Sequence, residues 1–381
     1  MSEWREMSLG ELTENLDGKR IPVKESERKP GKFPYYGASG VVDHVDKYIF
    51  DGEYLLIAED GENLRTQKTP IAFLARGKFW VNNHAHIVRG NGHADTRFLM
   101  YALNNGDISG FLTGSTMPKL TQGNMNRIPI LAPPLPEQRA IASVLGALDD
   151  KIELNRRMNE TLEALAQNLF KSWFVDATQS ALPKGWTERA LYDCADYING
   201  AAFRNEHFSA DRQGLPVIKI GELKDGITEQ TKFCEIEREP KYRINSGDIM
   251  FSWSGSPDTS IDTFIWTEGE GWLNQHIFKI QFKRPVEKFF VYYLLRHLKP
   301  VFIEIARDKQ TTGLGHVTAQ DLKRLNTSFP PDDLLRRFNR VVEPLFQKVY
   351  SNLHESRTLA ALRDALLPKL LSGELRVPTV A

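Results

Sequence analysis

PPLPEQRAIASVLGALDDKIELNRRMNETLEALAQNLFKSWF (Pro133–Phe174) and PPDDLLRRFNRVVEPLFQKVYSNLHESRTLAALRDALLPKLL (Pro330–Leu371) lie 197 residues apart and carry one pattern twice. In the first, Ile141, Leu145, Leu148, Ile152, Leu162, Ala166, Leu169 and Trp173 alternate steps of four and three, the spacing of a coiled-coil seam. Asn155 and Asn159 fill the seam positions between them. In the second, Phe338, Val342, Leu345, Val349, Leu359, Arg363, Leu366 and Leu370 take the same places, with Asn352 and Ser356 in the same polar gap. Two long helices are therefore predicted, each rising about 50 Å along its seam. An Asn at a seam position fixes register at some cost in stability. Pro344 falls inside the second pattern, where it removes a backbone donor and is expected to bend or break the helix. Pro368 threatens the last turn at Leu370, and Arg363 is expected to snorkel or to face a partner.

Connectivity turns two helices into an architecture. A domain-sized segment leaves the end of the first helix and returns to the start of the second. Antiparallel pairing then sets one head at each end about an approximate two-fold axis. Parallel pairing would bring both heads to one end, and the sequence favours the antiparallel form. The expected fold class is mixed α/β, with two globular domains separated by two long helices that form an antiparallel coiled coil, a pseudo-two-fold internal repeat. The expected domains are a first head at 1–130, a central helix at 131–180, a second head at 181–329, and a C-terminal helix and tail at 330–381.

The heads share landmarks and little else. Trp4, Leu9, Leu16 and Gly18 match Trp186, Leu191, Ile198 and Gly200 at an offset of 182. GEYLLIAEDG (Gly52–Gly61) resembles SGDIMFSWSG (Ser246–Gly255), and WVNNHAHIV (Trp80–Val88) resembles WLNQHIFKI (Trp272–Ile280). The changing offset places insertions in loops. YLLIA, TPIAFLA, HAHIV, LPVIKI, DIMFSW and HIFKI read as strands. Helices are expected near Thr96–Asn104 and Val286–Leu298. A glycine-containing turn precedes each long helix, SGFLTGSTMPKLTQGNMNRI (Ser109–Ile128) and KQTTGLGHVTAQDLKRL (Lys309–Leu325). Their polar side chains can meet phosphates and base edges, or serve only as turns and caps.

Composition narrows the class. A chain of 381 residues, 41% hydrophobic and 26% charged, suffices for two cores. No apolar run approaches a membrane span. MSEWREMSLGELTE lacks a signal peptide's apolar stretch, so a cytoplasmic location is expected. Cys194 and Cys234 are too few for a disulfide scaffold. With 49 basic and 49 acidic residues, the chain is not expected to grip nucleic acid strongly alone. A basic cleft balanced elsewhere, or help from a partner, remains open.

Catalytic patterns are missing from the sequence. There is no phosphate loop ending in Gly-Lys-Ser/Thr, no HExxH and no spaced Cys/His set. The glycine-rich cofactor loop and the Asn/Asp-Pro-Pro-aromatic motif of an adenine methyltransferase are also absent. Asp225 with Glu239-Pro240-Lys241 weakly matches a nuclease centre. A stand-alone metal-dependent nuclease is therefore one rival reading, and a non-catalytic structural coiled-coil adaptor is the other. His84 and His276 occupy matching places, each without a companion acid, nucleophile or metal set at a readable distance. A structural histidine and a DNA contact are both open for them.

Over nearly its whole length the chain resembles the specificity subunits of type I restriction–modification enzymes. The resemblance rests on IPILAPPLPEQRAIASVLGALDDKIELNRR (Ile128–Arg157), LFKSWFVD (Leu169–Asp176), LRDALLPKLLSGELRV (Leu362–Val377) and GSTMPKLTQGNMNRI (Gly114–Ile128). It implies that the heads are target-recognition domains, each binding half of an asymmetric bipartite DNA sequence, with the helices setting the gap. It implies a subunit with no catalytic centre or cofactor of its own. The implied partners are double-stranded DNA, two methyltransferase subunits holding S-adenosylmethionine, and restriction/translocase subunits that use ATP and magnesium. An isolated chain could pair with itself through exposed frame surfaces. PPDDLLRRF departs from the family-like PPLPEQRAI, and QTTGLGHVT lacks the GST-x-x-x-x-L form of head one.

Candidate DNA contacts in head one are Arg65, Lys68, Asn82, Asn83, His84, Ser115, Lys119, Gln122 and Asn124. In head two they are Arg204, Lys219, Asn274, Gln275, His276, Lys309, Gln310, Thr312 and His316. Lys and Arg suit phosphates, Asn and Gln suit adenine, and Arg suits guanine. Glu137, Gln138, Arg139, Arg156 and Arg157 are candidate methyltransferase contacts, or a solvated helix face.

Overall fold

A computed structural model describes residues 4–310 and 313–378. The chain divides into two compact units, Met1–Lys151 with Leu359–Ala381, and Ile152–Thr358. Each unit holds one head together with part of both long helices.

Among its described residues unit one is built on eight strands: β1 (Arg5–Ser8), β2 (Thr13–Asn15), β3 (Pro30–Gly37), β4 (Gly40–Val45), β5 (Phe50–Ala58), β6 (Ala72–Val81), β7 (Ala85–Gly90) and β8 (Pro129–Ala132). Six form a sheet in the order β2-β7-β5-β6-β3-β4, while β1 pairs with β8. The YLLIA run is continuously apolar because both sheet faces are covered. Leu55 and Ile57 enter a core with Phe98 and Leu99 of the helix Thr96–Asn105, whereas Leu56 enters a second core with Phe79, Val81 and Ile87. This is strand alternation with no solvent face. Asp95 caps that helix by accepting from Arg97 and Phe98 N–H groups, both at 3.0 Å.

Unit two repeats the plan with broken strands. Its strands are β9 (Thr187–Ala190), β10 (Asp196–Asn199), β11 (Leu215–Ile218), β12 (Phe233–Cys234), β13 (Arg243–Ile244), β14 (Ile249–Ser252), β15 (Ser254–Gly255), β16 (Asp262–Ile265), β17 (Gly271–Leu273), β18 (Ile277–Gln281), β19 (Gly315–His316) and β20 (Asn326–Phe329). They form sheets β10-β18-β14-β16 and β12-β11-β17-β13, with β15 against β19 and β20 against β9. The long β5–β6 ribbon of head one corresponds to β13–β14 and β16–β17 here. Breaks at 245–248 and 266–270 split one sheet into two. The parallel pairing survives: Tyr36↔Val81 in head one becomes Ile218↔Leu273 in head two.

The long helices are Leu135–Phe170 and Asp332–Ser372. Within unit one, Ile141 and Leu145 share a core with Leu370, and Arg363 reaches Asp149 at 2.8 Å, so the two segments run antiparallel. Tyr101 donates to the same Asp149 at 2.5 Å, fastening the head to the helix pair. Within unit two the direction is again antiparallel. Phe174 meets Phe338 edge-on at 4.7 Å, Asn352 donates to Asn159 at 2.8 Å, and Asn155 donates to Ser356 at 3.3 Å. The two last bonds exchange under the 197-residue repeat, which maps Asn155 onto Asn352 and Asn159 onto Ser356.

Three sequence expectations change. The deepest burial in the second half of the first helix falls on Ala166, Phe170 and Phe174, while Leu162, Leu169 and Trp173 are half-buried. An α-helix drifts against a strict heptad, and Phe289, Phe290 and Tyr293 from head two cover the adjoining face. Leu148, Ile152, Leu345, Leu359 and Leu366 are likewise half-buried, whereas Asn155 and Asn352 are both 0% exposed. Pro344 and Pro368 do not end the second helix, which continues to Ser372 with Leu370 buried inside it. Pro344 is exposed, as is Arg340 one turn before it, so the carbonyl it deprives of a donor is open to water.

Candidate nucleic-acid interface

In each head the loop before the long helix is clipped onto the end of a central strand. In head one, Leu120 N–H donates to the Glu59 carbonyl at 2.8 Å, and Glu59 N–H donates to that of His84 at 2.9 Å. Thr113 and Lys119 exchange backbone bonds of 2.8 and 2.7 Å, so Gly114–Pro118 forms a closed tip. Gly114 has φ +86°, and a Cβ there would lie 2.2 Å from the Met117 carbonyl oxygen. No other residue suits this position. Ser115, Thr116 and Met117 are exposed on the tip, and the Asp60 backbone lies opposite that of Lys119 in an antiparallel pairing.

Head two has the same clip. Val317 N–H donates to the Trp253 carbonyl at 2.8 Å, Trp253 N–H donates to that of His276 at 3.1 Å, and Ser254 pairs with His316. Glu59, Asp60, His84, Lys119 and Leu120 thus correspond to Trp253, Ser254, His276, His316 and Val317. Asn82 and Asn274 also correspond, donating backbone N–H groups to Tyr36 and Ile218 carbonyls at 3.0 and 3.1 Å.

Beneath the head-one clip lies a charged network absent from the sequence reading. His86 is 1% exposed; its Nδ1 lies 2.6 Å from Asp17 and its Nε2 2.8 Å from the Leu120 carbonyl oxygen. Arg20 donates to Glu59 at 2.9 Å and to the Ala85 carbonyl at 2.8 Å, and Lys119 lies 3.3 Å from Glu59. Burial pushes the Asp17 carboxyl up. Hydrogen bonding and charge from His86, the Ile87 N–H and Arg20 more than offset this, holding it below its ordinary value. A depressed carboxyl stabilises the fold above its unfolded pKa of about 3.9, and that contribution is lost as pH falls through the lower folded value. Thermal unfolding of the full chain is therefore expected to show an acid-labile limb below about pH 4. Asp17→Asn should flatten that limb; an unchanged limb would assign it to other carboxylates.

The other candidate contacts divide sharply. Asn83, Gln122 and Gln275 are exposed, as is Lys68. Arg65 is exposed and paired with Glu62 at 2.8 Å. His84 is half-exposed, with Nδ1 2.7 Å from Asp60. Arg204 is 78% exposed, and Lys219 lies over the Phe208 ring at 5.2 Å. His276 holds a positive φ of 75° against Trp253, and partial burial lowers its pKa. His316 is half-buried on β19. Gln310 donates to the Gly313 carbonyl at 2.8 Å, shaping its own loop. Thr312 lies outside the described residues.

Several candidates serve the scaffold. Asn82 is buried, accepting from the His84 N–H at 2.8 Å, and Asn274 is buried in the matching place. Asn124 donates to the Phe111 carbonyl at 2.8 Å and accepts from Arg127 at 2.6 Å. Lys309 is engaged by Asp321, which also takes the Thr318 hydroxyl. Of the candidate partner contacts, Glu137 is buried between Trp4 and Arg376, and Gln138 bonds the His93 and Pro133 carbonyls. Neither presents a surface. Arg139, Arg156 and Arg157 are exposed, the last two paired with Glu153. Glu239 and Lys241 pair with each other at 2.7 Å in solvent, and no cluster of metal-ligating residues occurs among the described residues. One clue to the hidden network was legible: His86 interrupts the apolar face of a strand whose equivalent position in head two is Phe278.

Residues 1–164 and 183–334 match the family model described as the Type I restriction modification DNA specificity domain. The chain is 27% identical to the Type I restriction enzyme MjaIX specificity subunit of Methanocaldococcus jannaschii, over 99% of this chain and 97% of that one. It is 23% identical to the Type I restriction enzyme HindI specificity subunit of Haemophilus influenzae, over 98% and 100% of the two chains. Its fold is that of the crystal structure of the type-I restriction-modification system S subunit from M. genitalium, with TM-score 0.65 and 16% identity, covering 100% and 97% of the chains.

Proposed function

The chain belongs to the type I restriction–modification DNA specificity family, and from that premise we propose that its two heads read the two halves of an asymmetric DNA target. One observation carries the reading: the same clip occurs in both heads, yet its side chains differ place by place. Asp60, Glu59 and Lys119 stand in one head where Ser254, Trp253 and His316 stand in the other. A common geometry with divergent chemistry is what reading two different half-sites requires. Exposed Asn83, His84, Ser115, Lys119 and Gln122 are the head-one contacts favoured by position. Gln275, His276, His316, Lys219 and Arg204 are those of head two.

The long helices act in this reading as the spacer that sets the unspecified gap. Chemistry is left to partners: two methyltransferase subunits with S-adenosylmethionine, and restriction subunits using ATP and magnesium. Two equivalent docking positions are supported by the repeat. Val144 and Leu165 of the first helix are exposed apolar residues, and so are their counterparts Val341 and Leu362 in the second. Such residues, repeated at solvent, suit two copies of one partner. A cytoplasmic location is part of the same proposal and follows from the restriction–modification reading. No helix among the described residues is long and apolar enough to cross a membrane.

The test is to co-express the chain with methyltransferase subunits and map N6-methyladenine across a genome. Methylation confined to an asymmetric motif with a fixed gap is expected. An assembled, cofactor-loaded complex that methylates nothing, or methylates without sequence choice, would overturn the reading.

A further inference from the structure

One buried side chain of the head-one clip, His86, has no polar counterpart in head two. Asp17, Glu59 and His86 of head one occupy the places of Asn199, Trp253 and Phe278 in head two. In head two the space is filled by rings: Trp253 stacks on Phe278 at 5.7 Å and donates from Nε1 to Asn199 at 3.0 Å. The loop there hangs from the strand by backbone bonds. In head one a buried imidazole adds a bond to the loop itself. The Leu120 carbonyl can only accept, so His86 Nε2 must carry the proton it shares at 2.8 Å. Nδ1 then faces Asp17 at 2.6 Å, and Asp17 is itself fixed by the Ile87 N–H at 2.8 Å. The ring is thereby held at both ends, and the Leu120–Thr121 peptide, which carries that carbonyl, cannot rotate without breaking a buried hydrogen bond. Such a loss leaves a desolvated polar group unsatisfied.

We propose that His86 is the positioning residue for head one's half-site, orienting the Gly114–Pro118 tip and Lys119 through the Leu120 carbonyl without touching DNA. The proposal rests on the specificity reading above and makes it asymmetric. Recognition by head one depends on a buried polar relay, whereas recognition by head two depends on an aromatic stack. A fault in the relay should therefore degrade one half of the target and leave the other intact.

The test uses the full chain assembled with its methyltransferase subunits, as wild type, His86→Phe and His86→Gln. His86→Phe installs the head-two residue. His86→Gln keeps a donor that can reach the Leu120 carbonyl. In the methylation map, His86→Phe is expected to lose at least about tenfold in discrimination at one or more positions of one half-site, one bidentate contact's worth of selectivity. The other half-site and the gap should stay unchanged, and His86→Gln should recover most of the loss. Amide exchange on the free chain supplies a second reading: residues 115–120 should exchange faster in His86→Phe, with residues 315–317 unaltered. Full fidelity at both half-sites in a folded His86→Phe complex would overturn the proposal. So would equal loss at both, which would mean a general stability role. If His86→Phe does not assemble, relaxed selectivity in a folded His86→Gln without faster exchange at 115–120 would overturn it as well. A wild-type complex with no bipartite motif would instead overturn the specificity reading itself.

Discussion

Adding one heptad to both long helices is expected to lengthen the unspecified gap by about three base pairs and leave both half-sites unchanged. Seven helical residues rise about 10.5 Å, and base pairs stack at about 3.4 Å. The insertion belongs after Asp150 in the first helix and after Leu359 in the second. There it keeps the Asp149–Arg363 pair on one side and the Asn155–Ser356 and Asn159–Asn352 bonds on the other. A heptad returns the seam to the same face in a left-handed supercoil, so buried positions stay buried. Three base pairs also turn the duplex by about 100°, so methylation is expected to slow even where the new motif is read. Insertion in one helix alone should abolish function, because it moves Asn155 or Asn352 two turns from its partner and leaves both buried without one. The methylated motif of each variant decides the matter. A gap that does not change in the double insertion would refute the spacer role.

What the sequence disclosed, and what it hid, follows from the range of the forces involved. The helices were legible because their pattern is local and written twice, down to the Asn155/Asn352 defect. The strands YLLIA and HIFKI were legible for the same reason, as β5 and β18. Sheet order was not, since β2 meets β7 only through partners far along the chain. Pro344 misled because local propensity yields to packing: Phe338, Val342 and Phe346 bury the helix face on both sides of it. Exposed candidates such as Ser115 and Gln275 could be picked from a polar glycine-containing turn and a landmark shared by both heads. Asn82, Asn124, Lys309, Glu137 and Gln138 could not be separated from them, because only tertiary structure shows that their polar groups are already spent. The relay through Asp17 and His86 joins side chains 69 residues apart, and neither sits in a recognisable motif.

Gly200→Ala is expected to disable head two, whereas Gly18→Ala should be tolerated, although the two glycines are the same landmark. A Cβ on Gly200 would lie 2.0 Å from the Asn274 carbonyl oxygen and 2.7 Å from that of Leu273. Both obstacles are backbone, so relief requires moving the turn that carries Asn274, Gln275 and His276. That turn is tied to the same segment by Ala201 N–H donating to Leu273 at 2.9 Å and Gln275 N–H donating to Ala201 at 2.8 Å. Overpacking against fixed backbone costs about 3 kcal/mol, and the displaced turn should lose the second half-site altogether. Around Gly18 there is nothing within 4 Å of a Cβ, and its φ lies outside the left-handed range. Alanine there restricts the unfolded chain and should be neutral or stabilising by up to about 1 kcal/mol. Denaturant unfolding of both variants measures the energies, and the methylation map reads which half-site survives. Equal damage from both substitutions would mean that the shared glycine is a backbone requirement of the fold in each head. Damage confined to Gly200→Ala would place its role in the close approach to the backbone of the Asn274–His276 turn, an approach that Gly18 does not make.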